Sequence, residues 1–220
     1  MYATMRRYEG VTDPAEASRR VAEGFVPLLR EIDGFVAYHF IDGGDGVMAT
    51  FPGGVLSHAR ALAREDWDGA DAARPLTARG AKQAAAAVGP LRAFGVRKIV
   101  SSDAVRCMTT VTPLAAALGK QIHRTSALSQ DAWEDGTSDV RAVIGRRVRS
   151  RKPAVLCSHG PVLPGILSEL ALATGTLHGS YLGSASALET GAFSVVHLSA
   201  TNPGSGIIAT VSETPRYRDL

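Results

Sequence analysis

The chain has 220 residues, of which 45% are hydrophobic and 20% are charged, and its formal net charge is +3. This size and composition predict a globular protein with one large domain, or one domain plus a small appendage. No apolar run approaches the roughly 18 residues of a membrane span, and no apolar stretch follows the first basic residues as in a signal peptide. We therefore expect no membrane partner and a cytoplasmic localisation.

The first fifty residues predict a strand, a helix and two further strands. The predicted strands cover residues 2–8, 35–41 and 47–51. The helix is expected to begin after Asp13, a good N-cap followed by a proline, and to end near Ile32. The segment Pro52-Gly53-Gly54 is a turn signal. We therefore predict two structural units, residues 1–51 and residues 55–213, on either side of this turn.

After this joint, short apolar strands alternate with helices. A polar loop is expected over 61–73, and a long alanine-rich helix from about residue 76 to 94. The other predicted helices cover 105–118, 138–150 and 161–173, and the strands cover 55–56, 98–101, 120–124, 154–157, 193–198 and 207–211. This alternation predicts an α/β fold of three layers, α/β/α, with a mostly parallel sheet.

A basic cluster and two cysteines have ordinary structural explanations. The cluster contains no aromatic residue, so we do not expect nucleic acid as a partner; it fits the solvated end of a helix, and a positive field favours anionic, phosphorylated substrates. The cysteines lie in apolar segments and are expected to be buried and unpaired. The cluster is Arg146, Arg147, Arg149, Arg151 and Lys152, and the cysteines are Cys107 and Cys157.

Three predicted strands end in polar residues that together suit a phosphoryl group. His58 follows the strand at 55–56, Arg106 opens the helix after the strand at 98–101, and His159 follows the strand at 154–157. In a parallel sheet these ends lie at one edge, where ligands bind. A histidine there can attack phosphorus, while a guanidinium and helix N-termini stabilise the negative oxygens.

The ordered motifs resemble the histidine phosphatase superfamily, also called phosphoglycerate-mutase-like, from about Val55 to Val211. They are similar to its SixA-like branch, and to the phosphatase domains attached to actinobacterial MutT-like Nudix hydrolases. The segments that carry the resemblance are Val55-Leu56-Ser57-His58-Ala59, Asp71-Ala72-Ala73-Arg74-Pro75-Leu76-Thr77 with Gly80, Ser101-Ser102-Asp103-Ala104-Val105-Arg106-Cys107 with Thr110, Ser158-His159-Gly160, and Thr190-Gly191-Ala192-Phe193-Ser194-Val195-Val196-His197.

The resemblance implies a role for each matching residue. His58 would be the nucleophile that becomes phosphohistidine, Arg106 a phosphate-binding arginine, and His159 a second pocket histidine that bonds a phosphate oxygen. Gly160 would line the same pocket. Neither a metal ion nor a cofactor is expected, because these residues supply the positive charge themselves. The implied activity is removal of a phosphoryl group from a small molecule, a nucleotide or a phosphohistidine protein.

The sequence departs from the family pattern in two places. The family has an arginine immediately before the first histidine, where this chain has Ser57. A serine offers one neutral hydrogen bond, about 1 kcal/mol against 1.5–3 for a charged one, so we expect impaired catalysis unless Arg60 or Arg74 reaches the site. The general acid has two candidates in the segment that should carry it: Asp131, which we favour, and Glu134.

Residues 1–51 resemble half of a ferredoxin-like domain of the antibiotic-biosynthesis-monooxygenase type. Half of such a unit leaves a sheet edge open, so we expect this segment either to pack on the phosphatase domain or to form a homodimer. Two alternatives to an active phosphatase therefore remain: a catalytically impaired phosphate-binding or regulatory module, and a ferredoxin-like monooxygenase or dimerisation module.

Overall fold

A computed structural model describes residues 13, 16, 19–25, 27, 50–177, 179–199 and 202–215. Its centre is a six-stranded sheet in the order β3-β2-β4-β1-β5-β6. The first four strands pair in parallel, and β5 is antiparallel to both of its neighbours. The strands are β1 (Thr50–Ser57), β2 (Lys98–Ser102), β3 (Ile122–Thr125), β4 (Ala154–Ser158), β5 (Phe193–Ser199) and β6 (Ile207–Glu213). The mostly parallel α/β sheet is confirmed.

Seven α-helices surround the sheet in the part of the chain from residue 50 onward that the structure describes. They are α1 (Ala78–Ala86), α2 (Val88–Ala93), α3 (Val105–Leu118), α4 (Gln130–Glu134), α5 (Val140–Ser150), α6 (Leu163–Thr174) and α7 (Ser180–Ser186). Helix α3 has the predicted bounds, and α5 and α6 begin two residues later than predicted. The sequence did not predict α4 and α7, which are too short to show a helical repeat of apolar residues.

The predicted helix over 76–94 is wrong in one respect, because two helices replace it. Helix α1 ends at Ala86 and α2 begins at Val88. Pro90 explains the break: a proline ring inside a continuous helix would clash with the carbonyl of the residue four positions earlier. The predicted end near residue 94 is confirmed, since α2 ends at Ala93 and Gly95 follows with a φ of 66°.

The predicted turn at Pro52-Gly53-Gly54 is also wrong, because β1 runs through it as one strand. Gly53 and Gly54 pair with Ala154 and Val155 of β4 on one side and with β5 on the other. A Cβ on Gly54 would lie 3.1 Å from a Val155 methyl group. Gly54 therefore allows close packing in a central strand, and neither glycine forms a turn. Whether 1–51 and 55–213 are separate units stays a prediction.

Two apolar cores lie on opposite faces of the sheet, as the three-layer prediction requires. Neighbouring residues of β1 alternate between them, because successive side chains of a strand point to opposite faces. Val55 packs in the core with α5 and α6, and Leu56 packs in the core with α2 and α3.

Most of the predicted N-terminal elements lie outside the described residues. Of the predicted helix, Arg19 and Arg20 are helical and Val21–Phe25 forms a π-helical turn. Arg19 bonds to Glu16 and Glu23 at helical spacing. The predicted strands over 2–8 and 35–41, and the predicted dimer interface, fall outside the structure. None of the described helices has both the length and the apolar character that a membrane crossing needs.

Residues 60–77 form a loop whose two ends are joined by backbone hydrogen bonds. Leu62 donates to the Pro75 carbonyl, and Thr77 donates to the Arg60 carbonyl, each at 2.9–3.0 Å. The Thr77 hydroxyl caps α1 by accepting from the Gly80 amide. A Cβ on Gly80 would overlap the Arg60 carbonyl oxygen. Glycine at position 80 therefore lets α1 pack directly on the strand-end segment that carries His58.

We expect Gly80→Ala to lower the free energy of unfolding by about 1–3 kcal/mol, the usual cost of overpacking. Chemical denaturation compares the variant with wild type. Gly183→Ala is the matched control, because no atom lies within 4 Å of a Cβ built at this exposed helical position. The control should be neutral or up to about 1 kcal/mol more stable. Equal effects in both variants would contradict the close contact at Gly80.

Candidate active site

The carboxyl ends of three strands meet at one edge of the sheet, as the sequence predicts. Ser57 at the end of β1 pairs with Ser158 at the end of β4, and Ser101 of β2 pairs with Cys157 of β4. His58 and His159 follow these strand ends directly, and their ring centroids are 5.2 Å apart. Parallel strands in register therefore bring together two histidines that are separated by a hundred residues.

Backbone contacts hold His58 in one orientation. Its amide donates to the Ser158 carbonyl at 3.0 Å, and the next amide, of Ala59, donates to the Thr110 hydroxyl at 2.9 Å. The ring Nδ1 lies 2.8 Å from the Ala59 carbonyl oxygen. A carbonyl oxygen only accepts hydrogen bonds, so Nδ1 carries the proton. Nε2 is then the nitrogen with a free lone pair.

His159 is buried, and both of its ring nitrogens bond to neighbouring side chains. Arg106 donates from Nε to Nδ1 at 3.3 Å, so Nδ1 is the acceptor. Nε2 lies 2.8 Å from the Ser102 hydroxyl, to which it donates in this tautomer. The Cys107 sulfur is 3.4 Å from the same Nε2. His159 therefore has one N–H, on Nε2, and the Ser102 hydroxyl accepts it.

Asp71 holds the arginines of the site. Arg106 is only 1% exposed, and it bonds the Asp71 carbonyl at 2.7 Å and carboxylate at 3.0 Å. The other carboxylate oxygen is 3.1 Å from Arg74 and 3.3 Å from Arg64. Because the carboxylate lies between Arg106 and Arg74, it marks a position that favours an anion.

Both histidines are neutral near pH 7. Burial is the main cause that lowers the pKa of His58 to about 4, and the positive charges of Arg106 and Arg74 lower it further, against the hydrogen bond to Ala59 and the charge of Asp71. Burial also lowers the pKa of His159 to about 2, with His58, Arg106 and Arg74 adding to the effect. A neutral imidazole keeps the lone pair that a nucleophile needs.

A cavity of about 310 Å³ lies beside the arginines. Its lining combines arginines and an aromatic ring with carboxylates of α4: Arg64, Trp67, Gly69, Asp71, Arg74, Asp131 and Glu134. Asp131 and Glu134 are both exposed, and Glu134 accepts from Gln130 at 2.7 Å. Both candidates for the general acid therefore line this cavity.

The structure places the remaining predicted residues as follows. Ser57 is buried at the end of β1, and its amide donates to the Ala192 carbonyl. Gly160 is exposed beside His159, with no atom within 4 Å of a Cβ built on it. Arg60 is exposed, and its described contacts are made by its backbone. Arg74, rather than Arg60, is the arginine whose charge acts on both histidines.

Two residues of the site received no role from the sequence. Asp71 binds the arginines and Ser102 bonds to His159. The sequence did carry a signal for both, because each belongs to a segment that resembles the family. Among the described residues, no group of three or more His, Cys, Asp or Glu side chains is arranged to hold a metal ion.

Residues 58–149 match the family described as the histidine phosphatase superfamily (branch 1). An 8-oxo-(d)GTP phosphatase from Mycolicibacterium smegmatis is 36% identical over 114 residues, which make up 51% of this chain and 35% of that protein. The chain thus spans about a third of the length of this curated relative.

Two solved structures show the same fold. One is named as the phosphohistidine phosphatase SixA of Nakamurella multipartitia; it has a TM-score of 0.56 and 20% identity, over 76% of this chain and 98% of that chain. The other is a mycobacterial glucosyl-3-phosphoglycerate phosphatase, with a TM-score of 0.54 and 15% identity over the same shares of the two chains. These likenesses confirm the predicted phosphoglycerate-mutase-like fold.

We expect the imidazole of His58 to stay neutral from pH 8 down to about pH 5, and to titrate near pH 4. Two-dimensional NMR of histidine-labelled protein measures this, with His58→Gln assigning the signal. In the unfolded chain the pKa is the ordinary 6.5, so the unfolded state binds more protons below that pH. His58 should therefore make the protein less stable as the pH falls from about 6.5 to 4. A midpoint near 6.5 in the folded protein would contradict the burial of this ring.

Proposed function

We propose that the domain over residues 58–149, which matches the histidine phosphatase superfamily (branch 1), hydrolyses phosphomonoesters through a phosphohistidine intermediate on His58. One observation carries the proposal: a neutral imidazole with its proton on Nδ1 lies at the sheet edge beside two arginines that hold an anionic group. This arrangement supplies a nucleophile and a stabilised position for negative charge in one place.

In the first step, Nε2 of His58 attacks phosphorus and forms a P–N bond. The bond from phosphorus to the leaving oxygen breaks, and that oxygen takes a proton from a carboxylic acid of α4. Asp131 or Glu134 fills this role, since both line the cavity next to the arginines. Arg106 stabilises the charge on the phosphoryl oxygens, while the Nδ1 proton remains bonded to the Ala59 carbonyl.

In the second step, water attacks the phosphorus of phosphohistidine. The P–N bond breaks, inorganic phosphate leaves, and His58 recovers its lone pair. The carboxylate that gave its proton in the first step takes one from the attacking water. The same residues therefore serve both steps, and the low pKa of His58 returns it to the neutral state.

The proposed substrate class is a phosphorylated small molecule, a nucleotide or a phosphohistidine protein. The relatives named above act on 8-oxo-(d)GTP, a phosphohistidine and glucosyl-3-phosphoglycerate, according to their names. The cavity combines arginines with Trp67, which suits a phosphate attached to a ring.

The alternative is a catalytically impaired module with Ser57 in place of the arginine. It would bind phosphate but show little or no turnover. The site retains a neutral His58, and a second arginine lies within range of it, as the charge of Arg74 on both histidines shows. This observation favours an active enzyme over a module that only binds phosphate. A role for residues 1–51 in dimerisation stays a prediction outside the described residues.

We expect wild-type protein to hydrolyse p-nitrophenyl phosphate between pH 5 and 8, and His58→Ala to lower kcat by at least roughly 10³ through loss of the nucleophile. His123→Ala is the control, because His123 lies on β3 and is exposed. It should leave kcat unchanged. Activity retained in His58→Ala would exclude the phosphohistidine mechanism, and inactivity of the wild type would favour the impaired module.

A further inference from the structure

Arg106 contributes one positive charge at this edge of the sheet, whereas a phosphoryl group carries two negative charges. Arg106 has five N–H groups, and three of them already bond to His159 and to Asp71. Two donors remain for a phosphoryl oxygen. The site therefore needs a second cation for the charge that develops during transfer.

We propose that Arg74 is this second cation and binds the transferred phosphoryl group directly, in place of the arginine that the family carries where this chain has Ser57. The inference rests on the proposed function, because it concerns the same phosphoryl group.

The position of Arg74 supports this role. Its side chain is 12% exposed, and it lines the cavity beside the site. One terminal nitrogen donates to the Leu62 carbonyl and the other is 3.1 Å from Asp71. Its Nε is buried and has no hydrogen-bond partner among the described residues. Arg74 thus has unused donors, and removing them from water is costly unless a ligand accepts from them.

Asp71 shows that an anion fits between Arg74 and Arg106. Its Oδ1 is 3.1 Å from Arg74, and its Oδ2 is 3.0 Å from Arg106. A phosphoryl group has three oxygens and a larger charge, so it can bond both guanidinium groups through their remaining N–H donors. Arg64 also bonds Asp71, but its side chain is 65% exposed, so solvent weakens its contribution.

The fold supplies no cation at the position before His58, and it holds Arg74 on a closed loop. Ser57 is buried beside His58 and has no charge. The loop that carries Arg74 is closed at its base by the hydrogen bonds of Leu62 and Thr77.

The test is the binding of inorganic phosphate and of vanadate, measured by titration calorimetry, together with hydrolysis of p-nitrophenyl phosphate. Arg74→Gln should weaken phosphate and vanadate binding about 10–100-fold and lower kcat/KM at least as much, through the loss of charge-assisted hydrogen bonds. Arg74→Lys keeps the charge and should lose less. Arg141→Gln is the control: it also removes an arginine–carboxylate pair, with Glu169, on the surface of α5, and should change neither quantity.

The double variant Ser57→Arg/Arg74→Gln separates a direct role from a structural one. If Arg74 binds the phosphoryl group, the new arginine should restore most of the lost binding. If Arg74 only holds Asp71 in place, Asp71→Asn should reproduce the loss and Ser57→Arg should not repair it, which would overturn the inference.

The remaining outcomes are also decisive. Wild-type phosphate affinity in folded Arg74→Gln, with thermal melting showing the fold, would overturn the inference, whether or not the double variant folds. Hydrolysis that needs His58 but not Arg74 would overturn it while leaving the proposed function intact. Absence of hydrolysis in the wild type would count against the proposed function. The phosphate affinities of wild type and Arg74→Gln would then still show whether Arg74 binds phosphate.

Discussion

The burial of the Arg106 guanidinium is the constraint on which the rest of the site depends. This side chain is 1% exposed, and a guanidinium keeps its charge at any pH at which the protein is folded. An unpaired charge at such a position costs about 3–5 kcal/mol. Asp71 and His159 provide the partners, so one residue joins helix α3, the turn after β4 and the loop over 60–77. The geometry of the proposed phosphoryl site follows from satisfying that one charge.

Burial also determines the protonation state of His58 and His159. Loss of water around the two rings, with the positive charges of Arg106 and Arg74, keeps both imidazoles uncharged at neutral pH. In the proposed mechanism, arginines provide the charge that binds the substrate, and the nucleophile is a histidine that does not need to lose a proton first. The two functions are therefore separated between two residue types, and the proposal predicts activity at neutral pH.

The sequence predicted the parts of this arrangement that depend on local patterns. Polar residues after apolar strands indicated the meeting of His58, Arg106 and His159. The bounds of α3 were predicted, and Gly119 ends this helix in the left-handed conformation. The role of Asp71 could not be predicted from periodicity, because it depends on how a loop folds back over a distant helix. The continuous strand through Gly53 and Gly54 was missed because glycine signals both turns and close packing. The choice between Asp131 and Glu134 remains open because both lie on one short helix beside the same cavity.

The most direct test of the central claim is to trap the covalent intermediate. Wild-type protein is mixed with ³²P-labelled substrate, quenched in alkali after a few milliseconds, digested and mapped by mass spectrometry. The account predicts one phosphorylated peptide, with phosphorus on His58, that is stable in alkali and lost in acid. Label on the neighbouring Ser57, stable in acid, or rapid turnover with no labelled protein at any time point, would contradict it.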